Sequence, residues 1–273
     1  MFACRGDSAA IVSDPAQNAE RMGGRGKKRR RHTLRTNRRR WAGGVDDSEL
    51  SELLEEQGRY YRAIAATYDL VAEQESTQPQ LREAVAAVYD WFDKLPIAGT
   101  VLELGCGTGL LTQRLARKAQ HVHAIDVAPE MLERAQARLH GTDHVTFELA
   151  DLYRWQPADA YDVVLFSFLL SHVPPQMTSR FWRLVASSLA SRGMVAFVDD
   201  APSRHQVEHW LAGGVARRAL DDGTQYRIVK VLPTPEELVD TMSAHRLGEA
   251  NVTVLGDAFL AGVARSGPDP RVM

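Results

Sequence analysis

The segment Val101-Leu-Glu-Leu-Gly-Cys-Gly-Thr-Gly109 constrains this chain more than any other: a short apolar strand runs directly into glycines at 105, 107 and 109, and a helical pattern opens at Leu110. Glycines so spaced permit a tight turn and let a ligand approach the backbone. From Thr100 onward strand patterns alternate with amphipathic helices, as in a parallel sheet covered on both faces. Strands are expected at 101–104, 121–125, 145–149, 163–166 and 194–198, and helices at about 110–118, 129–139 and 176–190. A strand at 226–232, a helix at 234–245 and a hairpin of 251–255 with 259–264 around Gly256-Asp257 follow. Two helices precede the first strand: one from the capping cluster Asp46-Asp47-Ser48, expected to kink or split at Gly58, and one ending at Pro96.

Spacing discriminates among the ligands that glycine loops hold. A dinucleotide fingerprint needs its third glycine at 110, which is Leu110, and a phosphate loop needs Gly-Lys-Ser/Thr, yet no lysine lies between Lys94 and Lys118. Glu103 would repel a pyrophosphate but tolerates a sulfonium with an amino group, so the loop suits a cationic nucleoside. Asp126, 21 residues after Gly105, closes the second strand, where a carboxylate can accept both ribose hydroxyls. Ala150-Asp151-Leu152 closes the third strand and brings a second carboxylate to the same sheet edge, where ligands of doubly wound sheets bind.

On these residues the chain resembles the class I S-adenosylmethionine-dependent methyltransferases. The matching segments are Val101 to Gly109, Ala124-Ile-Asp-Val-Ala-Pro-Glu-Met131, Ala150-Asp-Leu152 and Tyr161-Asp-Val-Val-Leu-Phe-Ser167, in the family's order and spacing over about residues 58–265. Tyr60-Tyr-Arg-Ala-Ile-Ala-Ala-Thr-Tyr-Asp69 is similar to the leading helix of the small-molecule members of the ubiquinone/menaquinone-biosynthesis type. The resemblance implies an α/β fold, a doubly wound, mostly parallel seven-stranded Rossmann-like sheet with an antiparallel C-terminal hairpin, binding S-adenosyl-L-methionine. It also implies that Gly105, Gly107 and Gly109 line the methionine moiety, Asp126 holds the ribose, Val127 or Met131 flanks adenine, Asp151 and the Leu152 amide read the adenine edge, and Tyr68 lies near the cofactor. Glu103, Cys106, Thr108 and Ser167 are counted in the same cofactor site, Cys106 as a small packing residue rather than a nucleophile.

Methyl transfer from a sulfonium is an in-line displacement with an excellent leaving group, so positioning carries much of the catalysis. A hydroxyl or protonated amine acceptor must also lose a proton, a task for a carboxylate or imidazole beyond the fourth or fifth strand. Ser167-Phe-Leu-Leu-Ser-His-Val-Pro-Pro175 supplies His172 at that mouth, and Asp199-Asp200 closes the fifth strand, so His172 and Asp200 are the expected catalytic residues. No metal is expected, because His205 and His209 lack a third ligand and an assigned helix.

Charge is unevenly spread. Residues 1–41 hold 12 Lys/Arg against 3 Asp/Glu, and the remainder 21 against 32. Residues 1–42 read as a basic, disordered tail, either solvated or upstream of an alternative start at Met22, residues 43–98 as a helical cap, and residues 99–273 as the cofactor domain with a substrate-cap insertion at about 201–226. A nucleic-acid methyltransferase held by that tail is the alternative, but the acidic body disfavours a polyanion. Neither an Asn/Asp-Pro-Pro-aromatic motif after the fourth strand nor a Pro-Cys nucleophile is present. A cofactor-binding regulator without turnover is the third reading. Two cysteines, Cys4 and Cys106, and no apolar run of membrane-spanning length point to a cytoplasmic chain without a membrane span. The resemblance implies an enzyme methylating a small-molecule acceptor at oxygen, not nucleic acid, and is compatible with a homodimer.

Overall fold

The computed structural model describes residues 46–211 and 213–267, and the basic segment 1–42 lies outside the described residues. Asp46 caps the first helix, α1 (Asp47–Ile64), by accepting the Glu49 amide at 2.9 Å. The helix runs unbroken through Gly58 and stops instead at Ala65–Thr67, where the Thr67 amide donates to the Ile64 carbonyl at 2.9 Å. An interior glycine costs about 1 kcal/mol, less than the burial of Leu53 and Tyr60 on the same helix, each 2 % exposed, supplies at about 1.5–3 kcal/mol per large apolar side chain. Packing therefore overrides the local breaker. Helices α2 (Tyr68–Thr77) and α3 (Pro79–Lys94) follow, the latter with proline in its first turn.

The alternating half of the chain runs β1 (Thr100–Leu104), α4 (Thr112–Leu115), β2 (His121–Asp126), α5 (Pro129–Arg138), β3 (Val145–Leu149), β4 (Tyr161–Ser167), a 3-10 turn at Leu170–His172, α6 (Thr178–Ser188) and β5 (Leu189–Asp200). Then come β6 (Val215–Ala219), β7 (Gln225–Val229), α7 (Pro235–Ala244), β8 (Leu247–Leu255) and β9 (Phe259–Ser266). Seven strands form one sheet in the order β3-β2-β1-β4-β5-β9-β8. Strands β1 to β5 pair in parallel, and β9 runs antiparallel to both β5 and β8, as the C-terminal hairpin requires. The order reverses between β1 and β4, so a crevice opens at their carboxyl ends.

Both sheet faces are covered. Phe166 and Phe197 stack at 5.2 Å on one face beneath Phe181 and Trp182 of α6, while Phe92, Leu115 and Leu132 pack with Val101 and Val122 on the other. A third cluster joins Tyr60 and Ile64 of α1, Met131 of α5, Ala216 of β6 and Ile228 of β7. It sets α1 and a separate two-stranded sheet, β6 with β7, beside the carboxyl edge.

The expected insertion at about 201–226 thus holds a strand of its own, β6, and the strand expected at 226–232 is β7 (Gln225–Val229), paired with β6 in that small sheet rather than with the main one. Arg218, a buried charge, disguises β6 in the sequence; it makes a bidentate pair with buried Glu208 at 2.7 and 3.1 Å. No helix among the described residues is long and apolar enough to cross a membrane.

Candidate active site

At the end of β1 the chain must turn sharply, and glycine makes the turn possible. Gly105 and Cys106 both donate to the Ile125 carbonyl, at 2.8 and 3.1 Å, which ties the loop to β2. Gly107 sits at φ +55°, and a side chain there would project into open space, so its backbone faces the crevice bare. Gly109, at φ +81°, serves packing instead: a Cβ would come within 3.1 Å of Ala135 on α5.

Asp126 holds this loop from the neighbouring strand. One oxygen accepts the Gly107 amide and the other the Ala128 amide, both at 2.9 Å. Burial raises its carboxyl above the usual range, while these amides favour the anion. Asp151, at the end of β3, accepts the Tyr153 amide at 2.8 Å and lies 3.6 Å from Arg154. Behind the loop, Glu103 is 1 % exposed, its Oε2 lacks a hydrogen-bond partner among the described residues, and burial pushes its carboxyl up to about 8. A nearby cation would favour its ionised form.

Gly105, Gly107, Asp126 and Asp151 line a cavity of about 780 Å³, a size suited to a nucleoside together with a small acceptor. Tyr68, Val127, Met131, Leu152 and Ser167 line it as well. Four expected cofactor residues lie outside the lining. Glu103 is buried behind it, and Gly109 packs on α5. Cys106 is 7 % exposed with its thiol pushed up by burial and by Glu103 and Asp126, a packing role. Thr108 donates to Asp69 at 2.5 Å, and Arg138 both pairs with Asp69 and donates to the Thr108 carbonyl at 2.9 Å, so this residue clasps α2 to the loop.

The cavity is also lined by His172, expected from the sequence, and by residues of α1 to which the sequence reading gave no catalytic role. Tyr61 on α1 reaches His172, its hydroxyl 2.9 Å from Nε2. The other ring nitrogen, Nδ1, lies 2.8 Å from the Val229 carbonyl. A carbonyl only accepts, so Nδ1 carries the proton, Nε2 presents a lone pair and the Tyr61 hydroxyl donates to it. Burial, Lys230 and Arg218 keep the His172 imidazole well below its usual pKa and therefore neutral. Burial together with Tyr68 and Tyr60 raises the Tyr61 phenol. Leu50, Leu54 and Gln57 of α1 line the same cavity, with Arg59, Arg62 and Arg180 among its charged members.

Asp200 does not line the cavity. It is buried against Lys230 at 2.5 Å and Arg204 at 3.7 Å, and although burial opposes ionisation, the Lys230 ammonium and its hydrogen bond hold the carboxyl below its ordinary range. A carboxylate so engaged is a poor base. Its neighbour Asp199 instead accepts the Ser171 amide at 3.1 Å and pins the turn that carries His172. His205 stacks on Trp210 with ring centroids 4.6 Å apart.

The arrangement defines a class: a doubly wound α/β protein with a glycine loop, two strand-end carboxylates and a deep crevice for a nucleoside and a second small molecule. Residues 101–193 match the family model described as a methyltransferase domain. The solved DhpI–SAH complex is 36 % identical with a TM-score of 0.68, covering 80 % of this chain and 98 % of that one. A DhpI–SAM–HEP complex is 35 % identical with a TM-score of 0.67, over 78 % and 97 %. Among curated proteins, a ubiquinone biosynthesis O-methyltransferase of Xylella fastidiosa is 42 % identical over 30 % of this chain and 35 % of its own length. An uncharacterized methyltransferase of Mycobacterium tuberculosis is 35 % identical over 43 % and 61 %. The chain thus spans about a third of the length of the ubiquinone-biosynthesis relatives it matches.

The chain belongs to the S-adenosylmethionine-dependent methyltransferases, as the resemblance in its sequence implies. The donor set fits that cofactor: a bare Gly107 backbone, carboxylates at the ends of β2 and β3, and a buried carboxyl with an unmatched oxygen behind the loop.

Proposed function

We propose that the protein methylates an oxygen of a small acceptor bearing an anionic group, with Tyr61 and His172 taking up the acceptor's proton. The observation that carries this reading is the hydrogen-bonded Tyr61–His172 pair, both residues lining the same cavity as Gly105, Gly107 and Asp126. When bound, S-adenosylmethionine supplies an electrophilic methyl group on a sulfonium, a leaving group that needs no acid. The chain's own residues then have one proton to move. As the acceptor oxygen bonds to carbon, its hydroxyl proton passes to the Tyr61 oxygen while the Tyr61 proton passes to His172 Nε2. The neutral imidazole has the lone pair this relay needs. Asp126 and the glycine loop orient the nucleoside, and α1 with the β6–β7 sheet screens the crevice from water.

Arg59, Arg62 and Arg180 favour an anionic acceptor, since none of the three makes an ion pair among the described residues. Guanidinium groups recognise carboxylate or phosphate oxygens bidentately. Relatives named as O-methyltransferases, of ubiquinone biosynthesis and of malonyl-(acyl-carrier protein), support oxygen as the methylated atom.

Incubating the protein with methyl-tritiated S-adenosylmethionine and a desalted small-molecule extract tests this reading. Label on the oxygen of a small acidic compound is expected. Transfer to nucleic acid or protein, or tight cofactor binding with no transfer, overturns it.

A further inference from the structure

The proton-accepting pair is divided between separate parts of the chain, and one side chain links them. Gln57 lies one turn before Tyr61 on α1, so the two side chains share a helix face. Its amide oxygen accepts the Val229 amide at 2.9 Å, and its amide nitrogen donates to the His172 carbonyl at 3.3 Å. Val229 in turn accepts from His172 Nδ1 at 2.8 Å, and His172 Nε2 accepts from Tyr61 at 2.9 Å. Gln57, Val229, His172 and Tyr61 thereby close a ring of hydrogen bonds across α1, β7 and the 170–172 turn. Glu56, the preceding residue, docks the same helix to β7 by accepting the Arg227 amide at 2.5 Å and its Nε at 2.8 Å.

We infer that Gln57 is a positioning residue for methyl transfer: by holding the Val229 and His172 main chains together it fixes the Nδ1–H tautomer of His172 and the distance from Nε2 to Tyr61. This rests on the proton-acceptor reading above. Gln57 serves both contacts because an amide offers a donor and an acceptor at one end; a carboxylate offers only acceptors and a thioether replaces neither bond. Since Gln57 and Tyr61 both sit on α1, docking of that helix assembles the proton acceptor and closes the acceptor side of the cavity in one event.

Gln57→Met keeps the length and bulk of the side chain and removes both hydrogen bonds. The rate of tritiated methyl transfer to the small-molecule extract should fall at least tenfold, the scale expected when reacting groups lose alignment. S-adenosylhomocysteine affinity by calorimetry should stay within twofold. Nitrogen-15 spectra of histidine-labelled protein, with the His172 signal assigned by its loss in His172→Ala, should show the Nδ1–H tautomer in the wild type and a mixture in Gln57→Met. Gln57→Glu keeps the acceptor for Val229 and should fall only about threefold with the tautomer retained.

A wild-type rate or an unchanged His172 spectrum in Gln57→Met overturns the inference; should that variant not fold, a wild-type rate in Gln57→Glu does so. Tyr61→Phe at the wild-type rate would instead break the proton-acceptor reading, which the tautomer measurement does not depend on.

Discussion

Two parts of the cavity lining are built by different means. The part proposed for the cofactor is organised by the main chain: Gly105, Gly107 and the ends of β2 and β3, with Asp126 accepting two backbone amides. The part proposed for the acceptor is a set of side chains brought together from distant parts of the sequence, Tyr61 reaching His172 and Gln57 reaching Val229 over separations of 111 and 172 residues. A lining organised by backbone constrains one ligand class through local geometry. A lining of converging side chains can be rebuilt for new acceptors while the cofactor part stays the same.

If the two parts divide their labour, variants should separate rate from cofactor binding. The largest effect is expected on the acceptor side, where His172→Ala should slow methyl transfer about 1000-fold, the middle of the range for general base catalysis. Its S-adenosylhomocysteine affinity should stay within twofold by calorimetry, and an equal loss of affinity would erase the distinction. In the cofactor part, Asp126→Ala should weaken S-adenosylhomocysteine binding about 100-fold, or about 3 kcal/mol, because it removes a charged acceptor that also holds the loop. Binding within fivefold of wild type would show that the loop holds the nucleoside unaided.

Smaller effects sharpen the boundary between the two parts. Asp69→Ala breaks the partly exposed clasp to Thr108 and Arg138 and should lower Tm by about 3 °C, corresponding to about 1 kcal/mol. If Tm is unchanged, α2 is held by its other contacts. The smallest expected response is to pH. Burial, Lys230 and Arg218 lower the His172 pKa well below 6.5, so the imidazole stays unprotonated down to that pH and accepts a proton only in more acid solution. The transfer rate should therefore vary less than about twofold between pH 8 and 6.5, and an acid limb centred at or above 6.5 would indicate an imidazole open to water.

Legibility from sequence follows the same division. The glycine loop, the strand-end positions of Asp126 and Asp151, and the mostly parallel sheet with its C-terminal hairpin are readable because each depends on a few consecutive residues and on the alternation of strand with helix. Gly58 misled, since helix propensity is a local quantity and the burial of Tyr60 and Leu53 is not. Strand β6 was hidden by Arg218, whose partner Glu208 lies outside the strand. Asp200 looked like a free carboxylate at a strand end because Lys230, which neutralises it, is 30 residues away. Tyr61 and Gln57 carried only the helical spacing that places them on one face of α1, which is the signal of an ordinary packed helix as well.

The placement of β9 has a consequence for how the chain matures. Asp200, Asp199 and the five residues before them form their outer ladder with residues 259–265. During synthesis, therefore, β5 emerges with one edge unpaired and its apolar residues Val195 to Val198 without their final neighbours until some sixty further residues have been made. Such an edge invites association with other chains. The protein's most vulnerable interval should be the synthesis of residues 201–258, and a chain truncated before Phe259 should accumulate as aggregate even though its glycine loop is complete.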